Sequence, residues 1–253
     1  MGVSGILGVS IGPHSLAQLT AACDSAFEGQ RDTFVFACAN PHSLVLARRD
    51  AQFLHALKGA SAVVADGVGC RIAARLVGTD VGPRITGSDF FRATMANLDR
   101  RCGRAYFFGS QESVLKKVMD RLDLDFPNVR AKYHSPPYRD WSAAENEIML
   151  KDIRDFAPDV LWVGMTAPKQ EKWVAANVEV LPVPVIGSIG AVFDYYAGVT
   201  HRAPPWICKL GLEWLYRLPR EPKRLWRRTF ISAPQFLWYV LLERAAKLSS
   251  VRR

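Results

Sequence analysis

The chain has 253 residues, 49% of them hydrophobic, which is ample for one packed core or for one domain with an appendage. Of its 33 basic and 24 acidic side chains, 12 and 3 fall in residues 200–253, so that segment carries the whole net charge of +9 and the preceding body is neutral. The five cysteines are scattered with no CxxC spacing, which excludes a zinc ribbon and a disulfide framework and suits a reducing cytoplasm.

The first residues, MGVSGILGVS, lack a basic n-region and a clear cleavage site, so no secretory signal is expected. Five short apolar runs follow: TFVFAC, SAVVAD, AYFFGS, VLWVGM and PVIGSIG. Uninterrupted runs of this length suit parallel strands covered on both faces. The segments between them have helical period. In SVLKKVMDRL, Val114, Leu115, Val118 and Leu122 share one face, with Lys116, Lys117 and Asp120 largely opposite. Alternating strand and helix predicts an α/β fold with a mostly parallel sheet flanked by helices. Ligands bind such sheets beyond the carboxyl ends of the strands. Asn40, Asp66, Gly109, the Thr166–Gln170 stretch and the loop from Gly187 to Gly190 all stand there.

Each of these positions has a plain structural reading beside a functional one. Asp66, in ADGVG, is on local grounds a turn or helix-capping residue; at a strand end it is also placed to act as an acid or base. Gly67 and Gly69 do not complete a dinucleotide fingerprint, because Ile72 holds the third glycine position, and this weakens the alternative of a dinucleotide-dependent oxidoreductase. In GPRITGSDFF, Ser88 or Asp89 could cap a helix, whereas Arg84 is not explained by capping and suits phosphate or carboxylate. In TAPKQEKW, Pro168 and Glu171 fit a first helical turn. Lys169 and Gln170 then project near an anion-favouring helix start, or form a solvated face. In VIGSIGAVFDYYAG, Gly187 and Gly190 could cradle a diphosphate, and Asp194 either binds substrate or caps a turn. The five histidines have no ligand spacing, so no metal and no cofactor are expected.

Composition shifts at Arg202-Ala203-Pro204-Pro205, which divides a 1–200 core from a 201–253 appendage. In PWICKLGLEWLYRL, Ile207, Leu210, Trp214, Leu215 and Leu218 form an apolar stripe edged by Lys209, Glu213, Arg217 and Arg220. This is the pattern of an amphipathic helix lying on a membrane or capping a pocket, and it would also serve contact between copies of the chain. Trp206, Trp214, Tyr216 and Trp226 interleave with basic residues, as in a single-strand nucleic-acid binder, but the stripe fits a membrane better. FISAPQFLWYVLL, the nearest approach to a spanning segment, is interrupted by Pro234 and falls short of the roughly 20 residues required.

In order, ANPHSLVLARRD, VVADGVG, GPRITGSDFF, FFGSQESVLKKV, APDVLWVGMTAPKQEKWV, GSIGAVFDYYAGVTHRAPPW and GLEWLYRLPREPKRLWRR resemble the bacterial WecG/TagA/CpsF glycosyltransferases. The resemblance implies a Rossmann-like α/β body. It implies a metal-independent, inverting transfer of a sugar from a UDP-sugar to a lipid-diphosphate-linked saccharide at the inner membrane face. The donor would be of the N-acetylmannosamine, uronic acid or glucose type. The family's candidate base matches Asp66. Sugar and nucleotide contacts match Asn40, Arg84 and Gln170. The arginines that meet the lipid diphosphate fall among Arg217, Arg224 and Arg227. Cys38 departs from the Thr of some members, which bears on the sugar accepted.

Overall fold

The computed structural model describes residues 5–30, 32–201, 203–204, 206–207 and 212–251, apart from the side chains at 224, 248, 250 and 251. A short antiparallel hairpin comes first, β1 (Gly5–Ile6) and β2 (Val9–Ser10), turning at Leu7-Gly8. The sheet follows: β3 (Phe34–Ala39), β4 (Ala62–Ala65), β5 (Arg104–Phe108), β6 (Arg130–His134), β7 (Val160–Val163) and β8 (Val185–Ser188). Its order is β4-β3-β8-β7-β5-β6, and every pairing is parallel. The five apolar runs are therefore strands of one sheet. RAKYH (β6) was not legible as a sixth because it is an edge strand whose side chains are half-exposed, so burial never demanded an apolar run.

Side chains of the strands alternate between two covered faces, as the period of two requires. Phe34 and Phe36 of β3, Phe107 of β5 and Trp162 of β7 pack with α1 (Leu16–Phe27), α5 (Gly87–Arg100) and α6 (Glu112–Asp125). Phe90 stacks on Phe36 with ring centres 3.9 Å apart, and Phe91 meets Trp162 edge-on at 5.1 Å. On the other face, α2 (Pro41–Ala47), α3 (Ala51–Gly59) and α4 (Val68–Val77) cover β3 and β4. Beside them, α7 (Ala143–Phe156) and α8 (Lys169–Asn177) cover β5 and β7. Gly187 lets the sheet close around its largest side chain: a Cβ there would stand 2.3 Å from the Trp162 ring.

Helix starts carry their own signals. Thr86, not Ser88 or Asp89, is the N-cap of α5. Its side chain accepts from the Asp89 N–H, and Asp89 Oδ2 accepts in return from the Thr86 N–H at 2.9 Å. Asp89 thus completes a capping box one turn inside the helix, an arrangement worth about 1 kcal/mol.

After α9 (Val192–Tyr196), the described part of the tail contains α10 (Glu213–Arg217), α11 (Pro222–Trp226), a π-turn over Arg227–Ser232, and α12 (Ala233–Val251). The π-turn ends just before Pro234, whose ring would meet the carbonyl of Phe230 in an unbroken α-helix. The chain continues helically through the proline, and α12 lies against α2 and α4. Phe236 and Val240 are 5% and 0% exposed and share the cluster of Leu44, Val45, Cys70 and Ala74. Glu243 Oε2 accepts from the Leu7 N–H at 2.9 Å, tying the amino-terminal hairpin to the same helix.

Phe236→Ala should therefore lower unfolding free energy by about 3–5 kcal/mol, the usual cost of a large aromatic removed from a core. Urea denaturation checks this, and a loss well under about 1 kcal/mol would show that α12 is not part of the core.

Candidate active site

The loops that leave the carboxyl ends of all six strands enclose one cleft of about 710 Å³, a size suited to a small-molecule substrate. Cys38 and Asn40 come from β3, Asp66 from β4, Ser110 and Gln111 from β5, and Pro136 to Tyr138 from beyond β6. The β7 loop adds Gly164 to Ala167 and the start of α8, and β8 adds Ser188 to Val192.

Asp66 is half-buried on this edge, and its N–H donates to the Ala39 carbonyl at 2.7 Å, which fixes it against β3. The N-cap of α4 is Gly67, at φ +93° and with no side-chain cap. The positive φ is why glycine stands there, and it leaves the helix start to the backbone. Asn40 is the N-cap of α2. Its Oδ1 accepts from the Ser43 N–H at 3.0 Å, and Ser43 Oγ accepts from the Asn40 N–H at 2.8 Å. Capping occupies the amide oxygen and leaves Nδ2 without a partner among the described residues.

The start of α8 is not a solvated face. Gln170 and Glu171 are each 5% exposed, while Lys169 lies with its ammonium 4.0 Å from the centre of the Trp141 ring. Gln170 Oε1 accepts from the Gly190 N–H at 3.1 Å, and its Nε2 donates to Glu171 Oε1 at 2.8 Å. Gln170 thereby braces the β8 loop against α8. Burial raises the Glu171 carboxyl above its ordinary range, opposed by the Gln170 hydrogen bond. Burial also pushes the Cys38 thiol well up, and the nearby Asp66 carboxylate pushes it further.

Other sequence-derived positions are distributed more widely. Asp194 lines the cleft, and its carbonyl accepts from the N–H groups of Val199 and Thr200. Gly190 lines it too, whereas Gly109 and Gly187 lie behind it, against Met165 and Trp162 respectively. Arg84 stands outside the lining but donates to Glu213 Oε2 at 2.8 Å, and Glu213 faces the cleft from α10. Arg217 is in the lining, paired with Glu221 Oε1 at 2.9 Å and set over the Tyr195 ring. Arg227 lies instead in a second, apolar concavity of about 880 Å³, with Leu215, Leu218, Trp226 and Phe230. The side chain of Arg224 lies outside the described residues.

Sequence reasoning missed Arg228, Glu213, Glu171 and Ser188, all of which line the cleft. Arg227 and Arg228 are adjacent in LWRR, and only the π-turn decides which faces inward. Glu171 had a sufficient explanation as a first-turn acid, and Ser188 had no chemical signal. Among the described residues no group of His, Cys, Asp or Glu is placed to hold a metal ion.

Comparison with known proteins gives matches along nearly the whole chain. The family model described as "Glycosyl transferase WecG/TagA/CpsF family" matches residues 5–250. A relative from Bacillus subtilis (strain 168) is 28% identical over 238 residues, covering 93% of this chain and 91% of its own. Relatives from Bacillus spizizenii (26%, covering 89% and 86%) and Staphylococcus aureus strain MW2 (27%, covering 93% and 91%) are similar. All three are named N-acetylglucosaminyldiphosphoundecaprenol N-acetyl-beta-D-mannosaminyltransferase.

Thiol chemistry checks the electrostatics of the cleft. Iodoacetamide at pH 8 should modify the exposed Cys102 while leaving Cys38 intact, because the thiolate is the reactive form. Peptide mass spectrometry reads the result, and equal modification of both would contradict the half-buried setting of Cys38 beside the Asp66 carboxylate.

Proposed function

The chain belongs to the WecG/TagA/CpsF glycosyltransferase family and is an enzyme of that kind; from this premise we propose that it moves an N-acetylmannosamine-type sugar from a UDP-sugar to a polyprenyl-diphosphate-linked saccharide, inverting the anomeric carbon without a metal ion. The observation that carries the reading is the meeting in one cleft of Asp66, from a strand end of the neutral body, with Arg217 and Arg228 of the cationic tail. The relatives' names supply the sugar and the class of acceptor.

In this reading the acceptor hydroxyl attacks the anomeric carbon from the side opposite UDP, and Asp66 takes its proton. As the new C–O bond forms, the bond to UDP breaks and the electron pair leaves with the diphosphate. Lys169 at the start of α8, with Arg228 from the tail, stabilises that charge. Asn40 and Gln170 position the donor, and Asp194 and the Gly190 loop complete its wall. Arg217, Arg224 and Arg227 meet the acceptor's lipid diphosphate. Arg217 stands in the cleft and Arg227 beside the apolar concavity, which suits a ligand with a charged head and a hydrocarbon tail.

Residues 201–253 act as the membrane-association appendage. Among the described residues no helix is long and apolar enough to cross a membrane. Trp206, Trp226 and Trp238 are nevertheless 63%, 56% and 61% exposed, and such rings favour the lipid–water interface. Basic residues near an anionic surface add about 1 kcal/mol each to peripheral binding. The inner side of α12 is pinned to the core, so the outer side is the one that meets lipid.

Two results test this reading. Asp66→Asn should lower transfer by about 100-fold or more, the scale of general-base catalysis, with UDP-sugar affinity retained; near-normal turnover would remove Asp66 from the base role. The double variant Trp226→Ser, Phe230→Ser should sediment less with anionic vesicles at matched salt. Unchanged sedimentation would place lipid contact elsewhere.

A further inference from the structure

Two oxygens in the cleft wall are each one hydrogen bond short. Glu171 Oε1 is engaged by Gln170, but Oε2 is buried with no partner, and Ser188 Oγ is likewise buried and unpaired. Both residues line the cleft, with Glu171 5% and Ser188 1% exposed. Buried polar atoms in native proteins are nearly always satisfied, so two orphans in one ligand cleft point to a ligand that satisfies them.

Their position narrows the part of the ligand concerned. Ser188 is the last residue of β8, held in register beside Ala37 of β3 and Val163 of β7. Two residues further along β3, Ala39 pairs with Ala65 of β4, and its carbonyl accepts from the Asp66 N–H at 2.7 Å, so Ser188 and Asp66 flank the end of β3. Glu171 lines the same cleft and, through Gln170, adjoins the Gly190 loop just beyond Ser188, facing the site of Asp66, the proposed base. That end of the cleft belongs to the transferred sugar rather than to the nucleotide base.

We propose that Glu171 and Ser188 are specificity-determining residues of the donor-sugar subsite, in which Glu171 works as an uncharged acid. Oε1 orients the Gln170 amide and so braces the Gly190 loop. Oε2 carries the acid proton and donates it to a hydroxyl or carbonyl oxygen of the sugar, and Ser188 Oγ hydrogen-bonds the same group. Burial without an ion-pair partner among the described residues is the physical reason for the uncharged state. The inference rests on the glycosyltransferase reading above, and specifically on Asp66 marking the reacting end.

Calorimetric titration of the full chain with UDP and with UDP-N-acetylmannosamine, in the absence of acceptor, separates the possibilities. Glu171→Ala and Ser188→Ala should each weaken UDP-N-acetylmannosamine by about 10-fold or more while leaving UDP within about 2-fold, as expected for a lost polar contact. Glu171→Gln keeps one acceptor and gains a donor in place of the acid proton, so it should restore the sugar-nucleotide affinity. Failure of Glu171→Gln to restore it would show that a carboxylate is required, and would overturn the uncharged role. Equal losses for UDP and the UDP-sugar, or no loss for either, would overturn the sugar assignment, whether the variants had disturbed the fold or had left the ligand untouched. If the wild-type chain bound UDP but gained nothing from the sugar, the inference alone would fall. If it bound neither, the parent reading would fall with it.

Discussion

Six strands that all run the same way must all end on the same side, and the rest of this protein depends on that constraint. A parallel neighbour requires a crossover, each crossover here is covered by helices, and the helices bury both faces of the sheet. Trp162 and Gly187 hold the two central strands in place, with the indole occupying space that a side chain at 187 would need. Chemistry cannot sit on a face packed this way. The cleft forms instead at the carboxyl edge of the sheet, where Asn40, Asp66, Gln170 and Gly190 arrive from different parts of the chain.

That edge is a floor, and the tail makes the roof. The body is neutral overall and supplies carboxyl, amide and hydroxyl groups together with Lys169; the tail supplies Arg217, Arg228 and Glu213. Arg84 on the body and Glu213 on the tail join the two at 2.8 Å. A partly exposed pair of this kind contributes on the order of 0.2–1 kcal/mol, so it aligns the roof more than it stabilises the fold. The stronger anchor is α12, where Phe236 and Val240 are enclosed by the helices beside β3 and β4. Charge and apolar packing are thus divided along the tail: the arginines nearer the cleft, the buried anchors beyond them.

Much of this was legible because burial writes itself into composition. Strands β3, β4, β5, β7 and β8 appear as apolar runs because helices cover both their faces. Strand β6 escaped notice because one of its sides has no neighbour, and the amino-terminal hairpin because two-residue strands have no periodicity to detect. The position of Asp66 followed from its strand. That Gly67, and not Asp66, is the N-cap did not, since only the backbone shows it. Arg228 and Glu171 were hidden for a common reason: which way a side chain points near a π-turn or at a helix start depends on the wind of the backbone, not on residue type. The last helix was obscured by Pro234, which the preceding π-turn accommodates.

In the proposed reaction, a single base opposite a single leaving group allows only one stereochemical course. The most direct test is the anomeric configuration of the product, made from α-linked UDP-N-acetylmannosamine and a lipid-diphosphate-linked N-acetylglucosamine acceptor and read from the one-bond C1–H1 coupling by NMR. A β-linked product is the expected result. An α-linked product would mean retention, and would contradict direct displacement with Asp66 as the base.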